Sequence, residues 1–489
     1  MSSQSGRLSD DAGRVGGFYR PLRADLVGRI HQTSLRVLEE VGLEVESELV
    51  RNRLGEVGGW VDSHTGRLRI GSEKLEEVVR GCPSRVDLYG RRDQHLQLED
   101  DRTYLGTGGA ATQVLDLESG DIRPSETGDI ARFAALAEEL SGIGFFVRPC
   151  SARDAPEEYS AANEFYAGLA NTTKHVMGGV YDPAGVEHVA EMGTIIAGSE
   201  EEFRSHPCLS VIVNLVQSPL TFQPDGARIV ERAVENGIPV TLSCAPMAGS
   251  TSPMTLAGTL AQLHAEELAG ILFTQAVEPG APVVYGGIPS IAEMHRLRYM
   301  GGAVEFGMMN AAISQLSHYI EVPNYNSAGI TEAKHPDIQA VYEKCFSILQ
   351  CALSGSNCIH HAAGMLESLL TVSAEQMVID HEIINMALRA LHGIDVDEDH
   401  LAFDAIEKAV EEGGYMTLDH TVQHMREELV EPLLADRQNR EEWREAGMKQ
   451  ITEKAREKAR NILAQRAEAA PCLSDKADRK IRNAFDICI

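Results

Sequence analysis

The chain has 489 residues, 43% of them apolar, which is enough to bury a large core and more than a minimal domain needs. Lys and Arg number 44 against 73 Asp and Glu, a formal net charge of −29. A field of that sign repels nucleic acid and anionic membranes, so neither is an expected partner. The nine cysteines are scattered and form no C-x-x-C pair, which argues against a disulfide framework, a zinc ribbon or an iron–sulfur site. No run approaches the roughly 18 apolar residues of a membrane span. The polar start MSSQSGRLSDDAGRVGG lacks the apolar stretch of a signal peptide, so a cytoplasmic protein is expected.

In chain order, residues 1–20 read as a flexible arm. A helix follows over 22–42, where Leu26, Ile30, Leu35 and Leu38 recur at helical steps. Short helices and strands over about 45–100 read as an α+β cap, giving an N-terminal unit of 1–100. From about 103 the rhythm changes. Short apolar segments at Thr103–Thr107, Gly144–Pro149, His175–Val180, Leu209–Leu215, Pro239–Cys244, Pro282–Gly286, Ile320–Asn324 and Asn357–His361 alternate with amphipathic stretches such as Thr255–Gln275. Eight strand–helix repeats predict a (β/α)8 barrel over 101–392, with a doubly wound open sheet as the alternative. Helical spacing at Ser373–Leu391, Glu398–Glu412, Leu418–Leu433 and Arg440–Arg466 predicts a C-terminal helical extension and tail, 393–489.

The familiar catalytic motifs do not fit. Gly106-Thr-Gly108-Gly109-Ala-Ala111 resembles a dinucleotide fingerprint, but a strand and turn follow it instead of a helix. His420-x-x-x-His424 lacks the glutamate of a zincin, and Cys358, His360 and His361 have no local fourth ligand. Structural histidines and no metal are therefore expected. No G-x-S-x-G elbow occurs. Residues just past barrel strands converge on one mouth. Here they are Phe146, Arg148, Asn214, Ser218, Cys244, Tyr285, Tyr325, Asn326 and His360. This set is poor in paired carboxylates, which disfavours glycosidase chemistry. It suits a small ligand with a cationic head, attracted by aromatic faces, and an anionic end, held by arginine.

Those residues and their flanks resemble the trimethylamine:corrinoid methyltransferase superfamily, in its non-pyrrolysine, glycine betaine branch. The matching stretches are Ser218-Pro-Leu220, Ser252-Pro-Met-Thr-Leu-Ala-Gly258 with Ala265-Glu266, and Gly329-Ile-Thr-Glu-Ala-Lys334 with Asp337, Gln339 and Tyr342-Glu343. They continue through Ser373-Ala-Glu-Gln376, Asp380-His-Glu382, His420-Thr421, His424, Arg426, Pro432, Asp436-Arg437 and Trp443. The resemblance implies a barrel, a corrinoid carried by a separate protein, no tightly bound cofactor of its own, and methyl transfer from a quaternary amine to Co(I). No position carries pyrrolysine, which favours a quaternary amine over trimethylamine. His264 stands where an amide is expected in relatives.

A quaternary ammonium already carries a neutral tertiary amine as leaving group, so it needs positioning and desolvation more than an acid or nucleophile. The expected roles follow. Phe146, Tyr285 and Tyr325 would cage the trimethylammonium, Arg148 and His360 would hold a carboxylate, and Asn214 and Asn326 would orient it. Lys334, Asp337, Gln339 and Glu343 serve as a supporting network in this reading. Other donors (carnitine, proline betaine, a sulfonium) and a non-catalytic quaternary-amine-binding protein remain open alternatives. Helical additions at both ends make a homo-oligomer plausible.

Overall fold

The computed structural model describes residues 14–489 except Asp93 and Leu297; most of the expected N-terminal arm lies outside the described residues. Eight parallel strands close on themselves: β1 Arg102–Thr107, β2 Phe145–Val147, β3 His175–Gly179, β4 Leu209–Val213, β5 Val240–Leu242, β6 Val283–Gly286, β7 Asn324–Ser327 and β8 Cys358–Ala363. Each pairs with its sequence neighbour, and β1 pairs with both β2 and β8. Eight helices alternate with them: α1 Thr127–Glu139, α2 Ser160–Asn171, α3 Pro183–Ala197, α4 Pro224–Glu235, α5 Leu256–Val277, α6 Val304–Tyr319, α7 Ile338–Leu353 and α8 Ala374–His392. This is the (β/α)8 barrel, and it excludes the open sheet. Among the described residues no helix is long and apolar enough to cross a membrane.

The barrel has a closed end and an open end. A hairpin of Val86–Tyr89 and His95–Leu98 plugs the amino-terminal end of the strands. Its alternate residues Val86, Leu88, Leu96 and Leu98 are buried against Tyr104, Phe145, Met177, Val284, Tyr325 and Cys358 of the barrel interior. His175, at the start of β3, bridges Tyr89 O and Ser210 Oγ, each at 2.8 Å. This hairpin is thus the barrel's floor. The opposite end carries extra pieces of sheet within the βα loops: Gln113–Leu115 with Ile122–Pro124, Met365–Leu366 and Thr371–Ser373, and Met247–Ala248 with Ser290–Glu293 and Arg298–Tyr299.

Several boundaries differ from expectation for physical reasons. The seventh strand is Asn324–Ser327, not Ile320–Asn324. Ile320 caps α6 and Glu321 is left-handed at φ 55°, so the apolar Ile320–Val322 forms a turn. Tyr325 and Asn326 therefore lie within β7. The stretch expected as helix 398–412 breaks at Ala402, also left-handed at φ 55°. The stretch 418–433 is helical only over Asp419–His424. The helix expected over 440–466 is divided around Gly447 and Met448, both at positive φ, into Arg440–Glu445 and Ile451–Glu468. The C-terminal tail is ordered: a helix over Asp475–Ala484 docks on α2, where Asn163 donates to Asp486 O at 2.8 Å and accepts from Cys488 N at 2.9 Å.

Burial pulls His175 down to about 4, so the folded chain holds it neutral while the unfolded chain takes up a proton below about 6.5. At pH 7 His175→Asn is expected to destabilise the fold, because it disturbs the bridge to Tyr89 and Ser210. That stability gap between wild type and variant should narrow as pH falls below about 6.5, by up to about 1.4 kcal/mol per pH unit. Urea unfolding of both proteins at pH 7 and pH 5 measures it; a gap that stays constant would rule the linkage out.

Candidate active site at the barrel mouth

Side chains alternate across a strand, so only every second residue of a barrel strand reaches the interior. In β2, Phe145 points inward, where its ring occupies the space beside Gly106; a Cβ there would lie 2.3 Å from the ring. Phe146 points outward against Gly168 of α2. In β6, Tyr285 also faces outward, and its hydroxyl meets His264 Nδ1 on α5 at 2.9 Å. Neither Phe146 nor Tyr285 reaches the interior, so the expected three-ring cage does not form. Tyr325 does point inward and shares the interior with Tyr104 and Phe145. Asn326, on the other face of β7, donates to Asn310 O on α6 at 2.8 Å.

The end of β8 is irregular. Its pairing with β1 shifts register between Ile359 and Ala363, and His361 is left-handed at φ 61°. Such a bulge re-aims side chains at the rim of a barrel, at a conformational cost of about 1–3 kcal/mol. Here it sets the rings of His360 and His361 3.7 Å apart. His360 Nδ1 meets the Tyr325 hydroxyl at 2.5 Å, and His361 Nδ1 meets Ser327 Oγ at 2.8 Å. His360 Nε2 is buried without a hydrogen-bond partner among the described residues. Burial, reinforced by His361, holds His360 well below the usual imidazole range, so it is neutral at pH 7. In the tautomer in which the Tyr325 hydroxyl donates to Nδ1, Nε2 carries the ring proton as a free donor.

Lys344 and Asp380 brace this corner from behind. Both side chains are fully buried and meet at 2.9 Å. Lys344 also donates to Gly329 O after β7, and Asp380 accepts from Gly364 N after β8 at 2.7 Å and from Gln376 Nε2 at 2.8 Å. Burial pulls the lysine down and pushes the aspartate up, and each counters the other's shift.

At the rim, Arg148 is paired with the buried Glu164 on α2 at 3.0 Å and donates to Ser151 Oγ at 3.0 Å. Its guanidinium lies 5.5 Å from the Tyr181 ring centroid. Its charge is answered within the protein. Asn214 is exposed just past β4. Ser218 sits behind the mouth, donating to Glu266 at 2.6 Å. Cys244 is buried, and its N–H donates to Glu267 at 3.0 Å, as does that of Gly286. Burial pushes Glu267 up to about 8, which keeps it protonated at neutral pH.

The supporting set is a loop brace. Asp337 caps α7, accepting from Ala340 N at 3.0 Å. Gln339 donates to Glu343 at 2.9 Å, Glu343 accepts from Glu332 N at 3.1 Å, and Lys334 donates to Glu332 O at 2.6 Å. His264 has a structural setting too: it meets His31 Nδ1 of the helix Ala24–Arg36 at 2.9 Å, linking that helix to β6 through Tyr285.

A closed barrel with a plugged floor and strained, partly unpartnered polar groups at the other end defines an enzyme scaffold with its site at the mouth. The trimethylamine methyltransferase (MTTB) family model matches residues 10–486. A trimethylamine methyltransferase MttB of Desulfitobacterium hafniense is 32% identical over 435 residues, 89% of this chain and 87% of the relative. A glycine betaine methyltransferase of the same species is 29% identical over 470 residues, covering 95% and 96%. The MttB of Methanosarcina barkeri is 32% identical over 477 residues, covering 94% and 95%. The crystal structure of the Methanosarcina barkeri monomethylamine methyltransferase shares the fold at a TM-score of 0.52 and 12% identity, over 91% of this chain and 88% of that one. The chain belongs to the trimethylamine methyltransferase family and is a methyltransferase.

Breaking a buried ion pair leaves an uncompensated charge and costs about 3–5 kcal/mol. Lys344→Met and Asp380→Asn should each lose about that much in urea unfolding, and the double variant should lose clearly less than their sum. Additive losses would show that the two side chains do not act as a pair.

Proposed function

We propose that the chain transfers a methyl group from a quaternary amine of the glycine betaine class to a reduced corrinoid carried by a separate protein. The observation that carries this reading is the inner corner of Tyr325 and His360. There an aromatic face adjoins a neutral imidazole whose Nε2 has no partner. Aromatic faces attract a trimethylammonium group, and an N–H donor suits the carboxylate at the other end of a betaine. Tyr104 and Phe145 extend the aromatic interior in place of the outward-facing Phe146 and Tyr285. Arg148, its charge answered by Glu164, contributes a hydrogen-bonding edge to the rim.

A mouth open to solvent supports a corrinoid arriving from outside. The floor is filled by the Val86–Leu98 hairpin, and the strand ends open to solvent at Asn214, Ala245 and Arg153. When bound, the corrinoid supplies a strongly nucleophilic reduced cobalt as methyl acceptor. The C–N bond breaks with its electron pair retained by nitrogen, which leaves as a neutral tertiary amine. The chain's own task is to hold the cation against Tyr325, exclude water, and point one methyl out of the mouth. No proton need be delivered to the leaving group, and the neutral state of His360 is compatible with that. The absence of pyrrolysine from the sequence supports a quaternary donor over trimethylamine.

Incubation with Co(I) cobalamin and a panel of methylamines, followed by the cobalamin spectrum, tests the proposal. Methylation is expected with glycine betaine and not with trimethylamine; the reverse result overturns the quaternary assignment. Tyr325→Phe and His360→Gln should each lower kcat/KM for the betaine about 10- to 100-fold, the loss of one or two hydrogen-bond equivalents.

A further inference from the structure

The His420-x-x-x-His424 pair, left unused by the chemistry of the mouth, acquires neighbours in the fold. The helix Asp419–His424 sets the two histidines one turn apart, with ring centroids separated by 4.4 Å. The short helix Glu398–Leu401 lies against them. Its Asp399 Oδ2 is 3.2 Å from His424 Nε2, and the His400 ring is 5.2 Å from that of His424. One donor atom from each of Asp399, His420 and His424 lies within 4.8 Å of the other two, and the same holds for His400, His424 and Glu428.

Two further observations set this cluster apart from a solvated surface. The His424 side chain is only 13% exposed, and its Nδ1 is buried without a hydrogen-bond partner, leaving the Asp399 carboxylate against Nε2 as the contact of the ring nitrogens; buried polar atoms in folded proteins are almost always satisfied. The surrounding segment also has little core of its own. Ala409 and Leu418 are buried, whereas Phe403, Val410, Met416 and Leu429 are 70%, 79%, 89% and 71% exposed. Helices of four and six residues do not hold themselves together without packing or an added ligand.

We propose that Asp399, His420 and His424 bind a divalent transition ion of the zinc class that staples this segment together. Water takes the fourth position, beside His400 and Glu428. Imidazole and carboxylate donors at roughly 2.0–2.2 Å from such an ion sit about 3.3 Å apart in a tetrahedron, so side-chain rotation of about 1 Å closes the site. Its role is structural. Glu428 lies 3.6 Å from Arg389 in the last turn of α8, at the end of the barrel opposite the mouth.

Full-length protein, stripped by chelation and titrated with Zn²⁺ and with Co²⁺, tests this. The expected result is one ion retained per chain, a tetrahedral Co²⁺ absorption spectrum without a thiolate band, and protection of residues 393–433 from trypsin on metal addition. His420→Gln and Asp399→Asn, both at solvent-accessible positions, should each abolish the retained ion and the protection while leaving methyl transfer intact. No retained ion in the wild type overturns the proposal. So does an unchanged Co²⁺ spectrum and stoichiometry in both variants, or a thiolate band, since either would place the ion at other residues.

Discussion

Closure of a parallel sheet on itself is the constraint from which the rest follows. Once β8 pairs with β1, every strand has two neighbours and two fixed faces, one for the helices and one for a narrow interior. A shift of one residue exchanges the two faces. That is why adjacent aromatics have unrelated roles: Phe145 fills the interior over Gly106 while Phe146 packs on α2. The same alternation makes Tyr325 an interior residue and sends Asn326 to α6. Gly286 shows how tight the wall is, since a Cβ there would lie 1.6 Å from Leu242 O.

The strand end at the mouth departs from this regularity in β8. The bulge at His361 breaks the alternation of β8 and brings two neutral imidazoles side by side. Strain of this kind persists only where surrounding structure over-determines it. Here the buried Lys344–Asp380 pair, with its bonds to the loops after β7 and β8, supplies that restraint. The floor hairpin supplies the complement by filling the far end of the interior, so a substrate meets the barrel from one side only.

Much of this was legible beforehand, and the limits have physical causes. Eight apolar segments at regular spacing announced the barrel, because a buried parallel strand needs a continuous apolar run. The seventh was displaced by four residues since Ile320–Val322 is as apolar as a strand, and only the left-handed Glu321 turns it into a helix end. Of the candidate site residues, Tyr325 and His360 meet in space, whereas Phe146, Tyr285, Asn326 and Ser218 face the helix layer. His361, Lys344, Asp380 and Glu164 were not singled out for the site. No spacing rule joins residues 148 and 164, or 344 and 380, across separate helices. A lysine at helical spacing from Ala340, Ile348 and Cys351 was the available signal for Lys344.

The sequence by itself determined the fold class and the family to which the chain belongs, because periodicity and ordered motifs are written along the chain. Tertiary structure alone decided which of two adjacent residues enters the interior, which charges are already neutralised by a partner, and that the loosely packed helices beyond residue 393 bring Asp399 beside His420 and His424. These are questions of face, pairing and proximity, and they are fixed only when strands and helices distant in sequence close on one another.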